Sequence, residues 1–229
     1  MKIVIFSDVH GSLNALNKLI ETEDFKSADK RVFLGDVVFG CSRPLECLKL
    51  IHKHNCDCVI GNNDFYIIDE VPAYDFEKFS EQKRIQLAWM RNAIDEEGRE
   101  ILKSWKKEFD INVNGITFHF SHYAYMEDGI TTQDSPTPFN VDGIKEMFKD
   151  TDFDYYFFGH EHNSNYFYDD KKHFYCVGTL GLRNPGCYLV VNVDDKVTIE
   201  EKYIEFDIDE EIKLMDKAGY PYAKNKIKI

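Results

Sequence analysis

Residues 2–11 read KIVIFSDVHG. Ile3 to Phe6 form a continuous apolar run, as in a strand buried on both faces, and the run stops on Asp8 and His10. The arrangement recurs down the chain. RVFLGDVVFG (31–40) runs into Gly35-Asp36, DCVIGNNDFYI (57–67) into Gly61-Asn62-Asn63-Asp64, GITFHFSHY (115–123) into His122, and DYYFFGHEH (154–162) into Gly159-His160-Glu161-His162. Five strands are therefore expected to end in Asp, Asn or His.

Helical patterns separate the first three strands. SLNALNKLIETE (12–23) puts Leu13, Leu16, Leu19 and Ile20 on one face, and RPLECLKLIHKH (43–54) does the same with Leu45, Leu48 and Ile51 behind Pro44. Strands alternating with helices predict parallel strands under helices, with a site beyond the strand carboxyl ends, where the polar endings converge. NYFYDDKKHFYCVG (165–178) and GCYLVVNVDDKVTIEEKYIEF (186–206) read as hairpins turning at Asp169-Asp170 and Asp194-Asp195. They predict a second, more antiparallel sheet as partner of the first. DIDEEIKLMDKAG (207–219) reads as a closing helix with an acidic start and a glycine stop. No repeat, linker or low-complexity tract divides the chain, which predicts a single domain over 1–229. Residues of about 65–110 hold two helical patterns and several aromatics, a candidate helical cap over the site.

With 229 residues, 43% of them hydrophobic, the chain can bury a sizeable core. The apolar stretch at the N-terminus is too short for a secretory leader and no later window approaches a membrane span, so a cytoplasmic protein is expected. Six cysteines without paired C-x-x-C knuckles read as reduced thiols. A net charge of −13 offers an extended nucleic acid no broad basic surface, leaving a small phosphorylated substrate as the expected partner, with room for a homodimer.

Asp8, His10, Asp36, Asn62, His122, His160 and His162 combine carboxylate, imidazole and amide oxygen. Such donors suit borderline divalent ions, with manganese the expected metal and iron, zinc, nickel or cobalt as alternatives. Seven donors exceed one tetrahedral zinc site but suit two ions sharing a carboxylate. Two such ions can clamp a phosphoryl group and acidify a bridging water for in-line attack, which is hydrolysis of a phosphate ester.

The ordered set D-x-H, G-D, G-N-x-D, strand-end His and G-H-x-H resembles the calcineurin-like metallophosphoesterases from Met1 to about Arg183. The resemblance implies an α/β four-layer αββα sandwich with two facing mixed sheets. It also implies a ligand partition: Asp8, His10 and His162 on one metal, Asn62, His122 and His160 on the other, Asp36 bridging. VGTLGLRNPG (177–186) looks like the glycine-rich loop that members carry after the last metal histidine, and Arg183 within it is a candidate phosphate contact. GDVVFGCSRPLECLKLIHKHNCDCVIGNND (35–64) most resembles the small bacterial and archaeal phosphodiesterases and diadenosine-tetraphosphatase-like enzymes. The implied reaction is attack of a metal-bridging hydroxide on a small phosphodiester, nucleotide or dinucleotide polyphosphate. Protein serine/threonine phosphatases, with Arg-Gly after the Gly-Asp and Glu in the Gly-Asn motif, fit less well. A non-catalytic interaction scaffold of the same fold is the alternative from another class.

Two positions depart from the family pattern. Tyr123 replaces the glycine that usually follows the strand-end histidine, and Asn63 stands where many members carry a histidine that protonates the leaving group. An amide donates a hydrogen bond but delivers no proton, so leaving groups that need little protonation are expected. Asp36, Asn63 and Asp64 are the catalytic candidates, and Asn62, Asn63 and Arg183 the substrate contacts. Glu161 and His119 are expected to point away from the site and His52, His54 and His173 to be solvated, while Asn14 could face the site from the first helix. Tyr123 and Tyr125, in the long polar loop SHYAYMEDGITTQDSPTPFN (121–140), could stack on a base.

Overall fold

The computed structural model describes residues 1–222. β1 (Lys2–Phe6), β2 (Lys30–Phe33) and β3 (Asp57–Cys58) run parallel, with α1 (Leu13–Glu21) and α2 (Glu23–Ser27) crossing between the first pair and α3 (Pro44–Lys53) between the second. α4 (Asn62–Ile68), α5 (Ala73–Lys78), α6 (Glu81–Ala93) and α7 (Glu96–Ser104) follow. β4 (Glu108–Val113) and β5 (Ile116–Ser121) open a second sheet, completed after α8 (Val141–Met147) by β6 (Tyr155–Phe158), β7 (Asn165–Tyr168) and β8 (His173–Cys176). β9 (Gly186–Val193), β10 (Val197–Ile204) and α9 (Ile208–Lys217) close the described chain.

The first sheet has the order β10-β9-β1-β2-β3 and the second β4-β5-β6-β8-β7, and both mix parallel with antiparallel pairs. The alternation of each strand explains why the apolar runs are unbroken. Ile3 and Ile5 of β1 point to the cluster between the sheets, where they join Val32, Phe118, Phe120 and Phe157. Val4 and Phe6 point the other way, into the cluster under the helices with Leu16, Leu19 and Leu48. Outside the second sheet, Ile144 and Phe148 pack on Tyr156, Phe158 and Phe174. These four layers match the architecture expected. Burial of each such side chain contributes about 1.5–3 kcal/mol, so the inter-sheet cluster sets how the two sheets face one another.

Three sequence expectations need correction. The hairpin of 186–206 does not build the second sheet; β9 pairs antiparallel with β1, and only β7 and β8 join the second sheet. β9 is buried on both faces, like β1, which suits a strand inside the first sheet. The run at 57–61 does not end as a strand at Asn62: β3 is two residues long, and Asn62, Asn63 and Asp64 form the first turn of α4. Asp64 caps that turn, accepting the Gly61 N–H at 3.1 Å, as short polar side chains favour at helix starts. Finally, 65–110 holds more than two helical patterns and also β4. Phe79, Leu87, Met90 and Leu102 sink into the same apolar cluster as α1 and α3.

Phe157 is fully buried between the sheets and stacks on Phe120 with ring centroids 5.5 Å apart. Phe157→Ala is expected to lower unfolding stability by about 3–5 kcal/mol, read as a reduced denaturant midpoint.

Candidate metal centre

The loops after β1, β2 and β6 turn sharply as they leave the sheets. Asp8, His10, Asp36, His160 and His162 all have positive φ, between 50° and 71°. Each costs an L-residue about 1–2 kcal/mol, and such strain concentrates where function fixes the backbone. The preceding glycines let these loops meet. A Cβ on Gly61 would fall on the Asp36 carboxylate, and one on Gly159 would collide with Ser7 and Asp8. The glycine-rich 177–186 segment backs the first loop: Leu180 N–H donates to Ser7 O, and the Thr179 hydroxyl donates to Asp8 O at 2.7 Å.

The seven donors fall into two groups that share one residue. In the first, Asp8 Oδ1 lies 3.2 Å from His162 Nε2 and 3.5 Å from His10 Nε2, while the two imidazole nitrogens are 3.0 Å apart. With Asp36, the ligand atoms of this group lie within 4.8 Å of one another. In the second, Asn62 Oδ1 lies 3.1 Å from His122 Nε2 and 3.0 Å from His160 Nδ1. Asp36 Oδ2 faces both groups, 3.9 Å from His10 Nε2 and 3.5 Å from His122 Nε2.

Neighbouring groups orient these donors. His10 Nδ1 is 2.9 Å from Val38 O and His122 Nδ1 2.7 Å from Leu34 O, so each donates there and leaves Nε2 free as a ligand. Asp64 accepts the N–H groups of Asp36 (2.7 Å), Val37 (2.9 Å) and Val38 (3.2 Å) as well as that of Gly61. Its carboxylate therefore clamps the Asp36 loop to the start of α4 and does not face the donor groups. Asn63 gives its backbone N–H to Asp36 Oδ1 at 3.0 Å and its side-chain amide to Asp36 Oδ2.

Asp8, Asp36 and Asp64 are all buried, and among the described residues none pairs with a lysine or arginine. Asp8 Oδ1 meets only the imidazole nitrogens of His162 and His10, neither in good hydrogen-bond geometry. Buried carboxylates left this way are costly unless a cation compensates them, and the mixed nitrogen and oxygen donors fit divalent ions. Burial opposes ionisation of Asp8, but the adjacent imidazoles of His10 and His162 hold its carboxyl well below the ordinary value. Burial and the neighbouring His122 push His160 down to about 4, which keeps it neutral, as a ligand must be. Burial and the Asp36 charge push Asp64 up to about 7, against the pull of its N–H donors.

Other sequence-selected residues lie elsewhere. Arg183 is not among the donors but lines an adjoining cleft of about 490 Å³ with His162, Ser164, Thr179 and Tyr203. Glu161 turns away, accepting the hydroxyls of Tyr123 and Ser135. Tyr123 is fully buried with its ring 4.6 Å from that of His160, so it is not open to stack on a base. Tyr125 is half-buried, its hydroxyl 3.4 Å from Ile60 O. Asn14 accepts from Arg43 at 3.0 Å in a cluster with Glu211, away from the donors. His119 is buried on the far face, bonded to Asp110 at 2.7 Å. His173 is half-buried on the Tyr155 ring at 4.4 Å and His54 packs edge-on to Phe25, so neither is merely solvated. Sequence reasoning missed Tyr66 and Asp75, which stand behind Asn62. The signal was the four-residue spacing of Asn62 and Tyr66, meaningful only once both are known to lie on a helix.

Residues 1–196 match the model of the calcineurin-like phosphoesterase superfamily domain. An uncharacterized protein of Methanocaldococcus jannaschii is 27% identical over 98% of this chain and 93% of its own length. The symmetrical bis(5'-nucleosyl)-tetraphosphatase of Actinobacillus succinogenes is 27% identical over 53% of this chain and 42% of that enzyme. Among solved structures, a metallophosphoesterase from Sphaerobacter thermophilus shares the fold with a TM-score of 0.74 at 22% identity, covering 96% of this chain and 95% of that one.

Asp64→Asn would place an amide where four backbone donors now meet a carboxylate. It is expected to lose about 3 kcal/mol of stability and to weaken divalent-metal binding at least tenfold, measured by denaturant unfolding and metal titration of the same protein.

Proposed function

The chain belongs to the calcineurin-like phosphoesterase superfamily, a family of metal-dependent hydrolases, and we propose that it hydrolyses small phosphodiesters, with nucleotides and dinucleotide polyphosphates as the substrate class. One observation carries this reading: two donor groups share the single carboxylate of Asp36, which lies 3.9 Å from His10 Nε2 in one and 3.5 Å from His122 Nε2 in the other. Asp8, His10 and His162 would hold one ion, Asn62, His122 and His160 the other, and Asp36 both, with manganese as the proposed metal. Bound there, the ions supply Lewis acidity toward phosphoryl oxygens and acidify water.

The chain's own residues divide the remaining work. Asp64 fixes the loop that presents Asp36, and Asn63 fixes the direction of the Asp36 carboxylate. Clefts lie on both sides of the donors. One holds Arg183 beside His162, and the other, about 220 Å³, runs beside Asn62 and His160 between α5, the start of α6 and residues 132–135. A diester carries a group on each side of the scissile phosphorus and can fill both clefts; a monoester fills one. Among the described residues Arg183 has no ion-pair partner, which in a chain of net charge −13 suits a guanidinium kept for a substrate phosphate. α5 and α6 act on this reading as a cap that selects the group in the second cleft. The tetraphosphatase relative supports the substrate class.

Asn63 offers no proton to a departing alkoxide, so leaving-group dependence is steep. With the manganese-loaded protein, aryl diesters are expected to outrun matched alkyl diesters by about 10²–10⁴-fold more than the uncatalysed reactions differ, and Asn63→His to narrow that gap. An aryl diester is expected to react faster than its monoester. Asp36→Asn abolishes both rates. Metal-loaded protein that hydrolyses neither ester would turn the assignment toward an interaction scaffold.

A further inference from the structure

Asn62 differs from the other six donors because its side chain has two chemically opposite ends that look alike in shape. Its carbonyl oxygen can ligate a cation; its NH2 group cannot. Something must decide which end enters the second donor group. His122 and His160 do not do so: His122 donates from Nδ1 to Leu34 O and so turns a lone pair toward Asn62, which by itself would favour the NH2 end, and the His160 nitrogen accepts or donates according to its tautomer.

The deciding contacts lie behind Asn62. Its Nδ2 donates to the Tyr66 hydroxyl at 3.2 Å, and that hydroxyl donates its single proton to Asp75 Oδ2 at 2.8 Å. All three residues are buried: Asn62 is 7% exposed, Tyr66 2% and Asp75 9%. The chain of bonds has one direction. An ionised carboxylate only accepts, so the Tyr66 proton points to Asp75, and the Tyr66 oxygen is left to accept from Asn62 Nδ2. Asn62 Oδ1 must then face His122 and His160. Tyr66 is itself held by the Phe79 ring, edge-on at 5.4 Å.

We infer that Tyr66, backed by Asp75, is a positioning residue that keeps the carbonyl oxygen of Asn62 turned into the second donor group and so sets the affinity of the second ion. The inference rests on the two-ion reading above. Asp75 lies in the first turn of α5, a helix that walls the cleft beside Asn62 and His160. The relay thus joins the second ion's ligand to the element that shapes the substrate cleft.

The test is manganese binding to metal-free protein by calorimetry, for the wild type, Tyr66→Phe, Asp75→Leu and Asp75→Asn. Tyr66→Phe removes one oxygen and keeps the ring. The wild type is expected to take two ions. Tyr66→Phe and Asp75→Leu should keep one at wild-type affinity and bind the second about 10–100-fold more weakly, with activity recovering at saturating manganese. Asp75→Asn, whose amide oxygen can still accept from Tyr66, should stay within a few-fold of wild type. Two ions bound by Tyr66→Phe with unchanged affinity would overturn the relay, as would equal weakening of both. A wild type that takes only one ion would instead overturn the two-ion reading, and the relay with it.

Discussion

The position of one carboxylate governs this molecule's site. Asp36 sits at positive φ, its N–H is bound by Asp64, and both of its oxygens receive hydrogen bonds from Asn63. It therefore cannot swing away to avoid Asp8 or to find water. A buried charge held so firmly needs a cation, and among the described residues no lysine or arginine supplies it. The strain at five donor positions has the same origin: the loops must turn inward immediately after the strands, and the inter-sheet cluster of Ile5, Phe120 and Phe157 keeps the two sets of strand ends opposed.

Much of this was legible in the chain. Unbroken apolar runs mean strands covered on both faces, and β1, β2 and β6 are such strands. The recurrence of Asp, Asn and His after those runs located the donors, because strand ends in a packed sandwich share one edge. The glycines at 35, 61 and 159 were legible as turns, but their actual service is to let segments distant in sequence meet: Gly35 leaves room for the backbone of Ile60 and Gly61, Gly61 for Asp36, and Gly159 for Ser7 and Asp8.

What was not legible depended on pairings that local pattern does not encode. β10 alternates like any half-exposed strand and β9 is apolar on both faces, but nothing in the hairpin says which sheet it joins; the choice follows from the free edge of β1. Asn62-Asn63-Asp64 looks like a strand-end turn and is a helix start, because Asp64 finds four N–H donors there. Tyr123 looks like an open-loop aromatic until the hydroxyl-to-Glu161 bond and the His160 ring are seen to enclose it. The polar relay behind Asn62 was hidden for the same reason. Its members are adjacent only after α4 and α5 have folded against each other.

The central claim is that Asp36 joins two metal positions. The direct test is diffraction from manganese-soaked crystals at the metal's absorption edge. Two anomalous peaks about 3.5–4 Å apart are expected, one beside Asp8, His10 and His162, the other beside Asn62, His122 and His160, with Asp36 next to both. A single peak at the first group, with Asn62 and His122 still bonded to each other, would contradict it.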